Sequence, residues 1–306
     1  MTNEQYFKNL TPPEGIADVV LDTDAYNEID DQFALAYLLR YSDRLRVKGI
    51  CAAPFFNDRA ASPADGMEKS YEEIFKILRL AGREELFSIV KRGSAAYLAD
   101  ETTPTESDAA DFMVNLAKEY SPERPLYIVA IGAITNVASA LLKDPEMKDR
   151  CVVVWLGGNA VHMPNGASEF NMVQDIAAAR VVMGCGVPFV QLPCWGVVDK
   201  FHTSGPELAA CLKGKNALCD YLYENTCAYM EVRAKGRLWS KVIWDVVAVA
   251  WLVSRDRNLM WARRIPSPIP EYDKQYAENA TRHLIEYVYA VNRDVLFIDM
   301  IERLSM

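Results

Sequence analysis

The chain has 306 residues, 51% apolar and 25% charged, the balance of a soluble globular protein. Its net charge of -9 is the wrong sign for a nucleic-acid backbone partner, and no run approaches the roughly 18 apolar residues of a membrane span. Seven scattered cysteines without a CxxC pair, and only three histidines, argue against a disulfide framework, a zinc site and a His-rich metal centre. The opening MTNEQYFKNLTPPEG has no basic stretch ahead of an apolar block, so no secretory signal is predicted and a cytoplasmic location is expected by default. IADVVLDTD (16–24) then reads as a buried strand ending in acids, and IDDQFALAYLLRYS (29–42) as a helix with two aspartates in its first turn. Strand VKGICAAPFF (47–56), helix 67–82, strand LFSIVKRG (86–93) and helix 108–121 follow. Next come strand PLYIVAIG (125–132), helix 133–144, strand CVVVWLGG (151–158), helix 175–186 and strand VPFVQLPC (187–194). Beyond Trp195 a helical region (206–232), a helix at 240–255, a late strand and a terminal helix (284–304) are predicted.

Continuous apolar strands alternating with helices predict an α/β fold: an open, mainly parallel sheet flanked by helices on both faces. No repeat or flexible linker divides the chain, so 1–306 is expected to be a single domain with a helical elaboration near 200–240. In such sheets ligands bind beyond the carboxyl ends of the strands. Here those ends carry Asp22, Asp24, Asn57, Ile131–Gly132 and Gly157–Gly158–Asn159. Asp22, Asp24, Asp30 and Asp31 fall within ten residues. Packed together they would repel, and some would take up protons unless a cation neutralised them. Oxygen ligands without paired His or Cys favour Ca²⁺ or Mg²⁺ over zinc. Helix capping accounts for Asp30 or Asp31 singly but not for Asp22 and Asp24 at a strand end as well.

LDTDAYNEIDDQFALAYLL resembles the opening of the inosine/uridine-preferring nucleoside hydrolases, with their D-x-D-P-G-x-D-D signature. GAITN (132–136), WLGGN (155–159) and EFNMVQD (169–175) resemble further elements of that family in the same order, and Asp245 stands where the family has His-Asp. The ordered set spans about 16–255 and is specific where D-x-D alone is not. The resemblance implies that Asp24, Asp31, Asp245 and the Ile131 carbonyl ligate Ca²⁺, and that Asp30 is the general base. It implies that Asp22, Asn57, Glu169 and Asn171 bind the sugar of a small-molecule ribonucleoside, which is hydrolysed to ribose and free base, and that the protein is a homodimer or homotetramer. No nucleic-acid or membrane partner is expected.

Two departures stand out. Five residues, Ala25 to Ile29, separate Asp24 from Asp30 where the family has three, so the loop must bulge and Asn27 or Glu28 is brought toward the site. Trp244 replaces the histidine that protonates the departing base in many members; it cannot donate a catalytic proton but can stack on a base and raise the basicity of its ring nitrogens. Trp239 is a second candidate for that aromatic wall, and His162 and His202 are candidate pocket histidines. Two rival readings are a haloacid-dehalogenase-like phosphatase with Asp22 as nucleophile, and a ribonucleoside-binding protein that has lost turnover.

Overall fold

The computed structural model covers residues 1–306. Six strands run parallel: β1 (Ala17–Thr23), β2 (Leu45–Ala52), β3 (Val90–Lys91), β4 (Leu126–Ala130), β5 (Cys151–Leu156) and β6 (Phe189–Leu192). A separate antiparallel ribbon joins β7 (His202–Thr203) to β8 (Lys241–Val242). The main sheet is completed by β9 (Met260–Pro266), antiparallel to β12 (Leu284–Val291), which lies parallel to β6. Between them β10 (Ile269–Pro270) and β11 (Tyr276–Ala277) form a short hairpin. The eight-stranded order is β3-β2-β1-β4-β5-β6-β12-β9. The chain moves outward from β1 and then returns to place β4 on β1's other side. That reversal opens a crevice at the carboxyl ends of β1 and β4.

β1, β4, β5 and β6 are buried along their whole length, as strands covered on both faces must be. Alternation sends Val19 and Leu21 to one apolar cluster, with the helices Asp30–Arg40 and Val246–Trp251. Val20 faces the other cluster, with the helices Thr135–Lys143 and Ile176–Gly184. Each fully buried aliphatic side chain contributes roughly 1.5–3 kcal/mol. No helix is long and apolar enough to cross a membrane.

Several elements differ from expectation, among them a short N-terminal helix, Asn3–Asn9, and the hairpin of β10 and β11. Half of 86–93 belongs to a 3-10 helix, Glu84–Ile89, and only Val90–Lys91 pair with β2; Leu86 and Phe87 pack against the helix Pro63–Leu80 side of the core instead of entering the sheet. The helix expected at 240–255 is confined to Val246–Trp251, because Lys241–Val242 are taken into the ribbon with β7. Strand β9 was not expected: its sequence, MWARRIP, carries exposed arginines and a proline, features an edge strand tolerates. The helical elaboration is two helices, Gly205–Leu212 and Ala217–Ala234.

Candidate active site and metal centre

A cavity of about 330 Å³ opens at the carboxyl edge of the sheet. Its wall includes nine of the ten residues singled out from sequence: Asp24, Asp30, Asp31, Asn57, Ile131, Glu169, Asn171, Trp244 and Asp245. Asp22 is the exception. Strand alternation turns it to the Val20 face, where its Oδ1 accepts a 2.8 Å hydrogen bond from Asn136 Nδ2 at the start of the helix Thr135–Lys143. Asp22 is fully buried and is not part of the cavity wall, and its Oδ2 has no hydrogen-bond partner.

Asp24 lies one residue beyond β1, and Asp30 and Asp31 occupy the first turn of the helix Asp30–Arg40, whose positive end favours carboxylates. Asp245 is the N-cap of Val246–Trp251 yet makes no side-chain cap bond, so capping does not account for it. Asp30, Asp31 and Asp245 each present an oxygen within 4.8 Å of the others. Asp24 and Asp245 are each within hydrogen-bonding reach of Asp31. Ionised carboxylates have no proton to share, and both oxygens of Asp24 and Oδ1 of Asp30 are buried without a hydrogen-bond partner. Burial, reinforced by these like charges, raises the Asp24 and Asp245 carboxyls well above the usual range. Burial and Asp30 push Asp31 to about 7. Asp30 rises to about 6 through burial, with Lys241 opposing and Glu28 adding to the shift. Orphaned oxygens and crowded carboxylates fit a hard cation.

Gly132 permits this packing, because a Cβ there would stand 2.9 Å from Asp24 Oδ1. Asn171 Nδ2 donates to the Ile131 carbonyl at 3.2 Å and to Leu156 at 3.1 Å, which leaves its own carbonyl as the group it can offer a hydroxyl. Glu169 is both cap and wall: its oxygens accept from the backbone N–H groups of Gly158, Asn171 and Met172. Burial nevertheless raises its carboxyl to about 6. Gly158 has φ 74°, and a Cβ there would meet the Tyr276 hydroxyl at 1.9 Å.

The bulged 25–29 loop brings Asn27 and Glu28 into the wall. Asn57 Nδ2 donates to Asn27 Oδ1 at 2.6 Å, Tyr229 to Glu28 at 2.8 Å, and buried Lys241 to Glu28 while lying 3.6 Å from Asp30. Trp195, rather than Trp239, meets Trp244 edge to face at 5.3 Å between ring centroids. Trp239 packs near Gly205, away from the cavity, and neither His162 nor His202 lines it. Sequence reasoning missed Trp195, Cys194, Tyr229, Arg233 and Lys241. They come from the β6 exit and the elaboration beyond it, and no local motif ties them to the aspartates.

An α/β sheet with a polyanionic cavity at its switch point defines a class of ligand-binding α/β protein. Within that class the chain belongs to the inosine-uridine preferring nucleoside hydrolase family, whose pattern matches residues 19–291. It is 32% identical over 188 residues to the inosine-uridine preferring nucleoside hydrolase of Crithidia fasciculata, covering 58% of this chain and 56% of that one. It is 28% identical over 155 residues to the pyrimidine-specific ribonucleoside hydrolase RihA of Salmonella schwarzengrund, 49% of each chain. The matched part thus spans about half the length of these curated relatives. Among solved structures, a plant nucleoside hydrolase superposes with TM-score 0.75 at 20% identity, over 94% of this chain and 99% of that one. A purine-preferring ribonucleoside hydrolase from Gardnerella vaginalis gives 0.71 at 20% identity, over 94% and 98%. These two likenesses establish the shared fold.

Proposed function

We propose that the chain hydrolyses the N-glycosidic bond of ribonucleosides in a calcium-dependent reaction that releases ribose and free base. The convergence of Asp24, Asp30, Asp31 and Asp245 from three separate segments on one cavity carries this reading. Asp24, Asp31, Asp245 and the Ile131 carbonyl would hold the ion. When bound, calcium supplies charge neutralisation, ligation for a vicinal diol and acidification of water.

The chain's own residues do the rest. Asp30 accepts the proton of the attacking water, its Oδ2 fixed by the Trp244 N–H at 3.2 Å. Asn57, Glu169 and Asn171 orient the sugar hydroxyls. The carboxylates stabilise the positive charge that develops on the sugar as the bond to the base breaks. Asp22 supports the floor through Asn136. Trp244 provides a face for the base.

The test is release of ribose from a panel of ribonucleosides with and without a chelator, together with Asp30→Asn. Release that depends on calcium and is lost in the variant supports the reading. Tight binding without turnover in the unaltered protein would favour the binding-protein alternative instead.

A further inference from the structure

We infer that Lys241 is a positioning residue for the hydrolysis: anchored on Glu28, its ammonium holds the Asp30 carboxylate out of the ion's coordination shell and leaves it facing the substrate. This rests on the hydrolase reading and adds to it a residue that the reading does not use.

Asp30 stands close enough to the ion's proposed ligands to become one of them. Its carboxylate presents an oxygen within 4.8 Å of oxygens of Asp31 and Asp245. A hard cation gains from each carboxylate added to its shell, so an ion held there pulls on Asp30. A carboxylate drawn onto the ion is misplaced for taking a proton from the attacking water. The base must be held back.

Two groups oppose that pull. The Trp244 N–H donates to Asp30 Oδ2 at 3.2 Å, and Lys241 Nζ lies 3.6 Å from Oδ1, which has no hydrogen-bond donor. The Lys241 backbone is fixed in the β7–β8 ribbon opposite Thr203. Its side chain is 9% exposed and donates to one oxygen of Glu28, whose other oxygen accepts from the Tyr229 hydroxyl at 2.8 Å. Burial alone lowers the pKa of the ammonium, but Asp30 and Glu28 outweigh it and raise it above the ordinary lysine value. The lysine therefore keeps its charge.

Neutralising Glu28 does not by itself explain a buried lysine. The Glu28 side chain is 36% exposed, on the loop Ala25–Ile29, where water and Tyr229 already solvate it. Burying an ammonium carries a desolvation cost that an exposed partner does not require. Asp30 is the partner that needs the charge, because it is buried and Lys241 is the cation its Oδ1 faces. Charge counting gives the same division. Lys241 offsets Asp30, and Asp24, Asp31 and Asp245 remain for the ion.

The experiment titrates calcium into the full chain at pH 8 by calorimetry, for the native protein, Asp30→Asn, Lys241→Met and the double variant. Ribose release from inosine and uridine is measured for each, and circular dichroism checks the fold. Removing the ammonium relieves its repulsion of calcium in either background, so the informative quantity is the difference between backgrounds. Lys241→Met should tighten calcium at least about ten-fold more with Asp30 present than with Asp30→Asn, as an added carboxylate ligand requires. In Lys241→Met, kcat should fall about 100-fold, the scale of a misplaced catalytic group, with KM held within about three-fold because the ion still grips the diol. Lys241→Gln keeps a donor toward Glu28 and disturbs the fold less; it should show the same coupling with a smaller loss of kcat. Equal tightening in both backgrounds, the result for a lysine that only supports the fold, overturns the inference. So does kcat within about three-fold of native in Lys241→Met, or a native chain that binds no calcium. If the native chain binds calcium but releases no ribose, the hydrolase reading fails; the calcium coupling then upholds or overturns the hold of Lys241 on Asp30 without it.

Discussion

Replacing Asp31 with asparagine separates two opposed effects of its carboxylate, destabilising the metal-free protein and holding the ion. Without metal, burial and the adjacent Asp30 lift the Asp31 carboxyl from 3.8 to about 7. Between those values the native state holds a proton that the unfolded chain has released, so stability falls as pH rises from about 4 to about 7. A shift of roughly three units corresponds to about 4 kcal/mol at pH 8. Neighbouring carboxylates already relieve part of this by taking up protons themselves, so a net gain of about 2 kcal/mol is expected for Asp31→Asn in chelator. Asparagine keeps an oxygen to accept the Thr23 hydroxyl bond, 2.5 Å in the native chain. The gain should raise Tm by roughly 3 °C at pH 8 and by much less at pH 5. Thermal melts in chelator and in millimolar calcium measure it. Calcium should stabilise the native chain strongly and the variant hardly at all. A variant that melts below the native chain in chelator at pH 8, yet gains as much from calcium, would refute this reasoning.

Other perturbations separate scaffold from chemistry. Asp175→Ala removes bonds accepted from Leu98 N, Thr135 Oγ1 and Ala178 N, and should cost about 3 kcal/mol in denaturant unfolding while leaving KM unchanged. Lys241→Met strips the buried cation from Glu28 and Asp30 and should destabilise the chain by about 3 kcal/mol at pH 8, less at pH 5 where protons replace it, as pH-dependent melts will show. Gly158→Ala meets both a left-handed backbone and the Tyr276 hydroxyl, so unfolding should report a loss of about 2 kcal/mol and the assay a raised KM, because Glu169 is anchored on the Gly158 N–H.

The parallel core was legible because β4 and β5 are apolar throughout and β1 and β6 are mostly so, the pattern of strands covered on both faces. The aspartates were legible because strand ends and helix starts are local features. Asp22 shows the limit of that reasoning. Its two-residue spacing from Asp24 suggested a shared destination, but the strand stops at Thr23, so Asp24 leaves the alternation that turns Asp22 toward Asn136. The ribbon of Lys241–Val242 was hidden because its partner, His202–Thr203, is almost forty residues away and both strands are only two residues long. Trp195 was hidden for the same reason. Its meeting with Trp244 depends on how the elaboration folds back, which periodicity does not encode.

A crystal structure of the chain soaked in calcium and ribose bears on the cation centre most directly. One ion touching Asp24, Asp31, Asp245 and the Ile131 carbonyl, with the sugar diol completing its shell and Asp30 facing C1′, is the predicted result. An empty cavity with those carboxylates protonated and turned to separate partners, or an ion seated elsewhere, would contradict it.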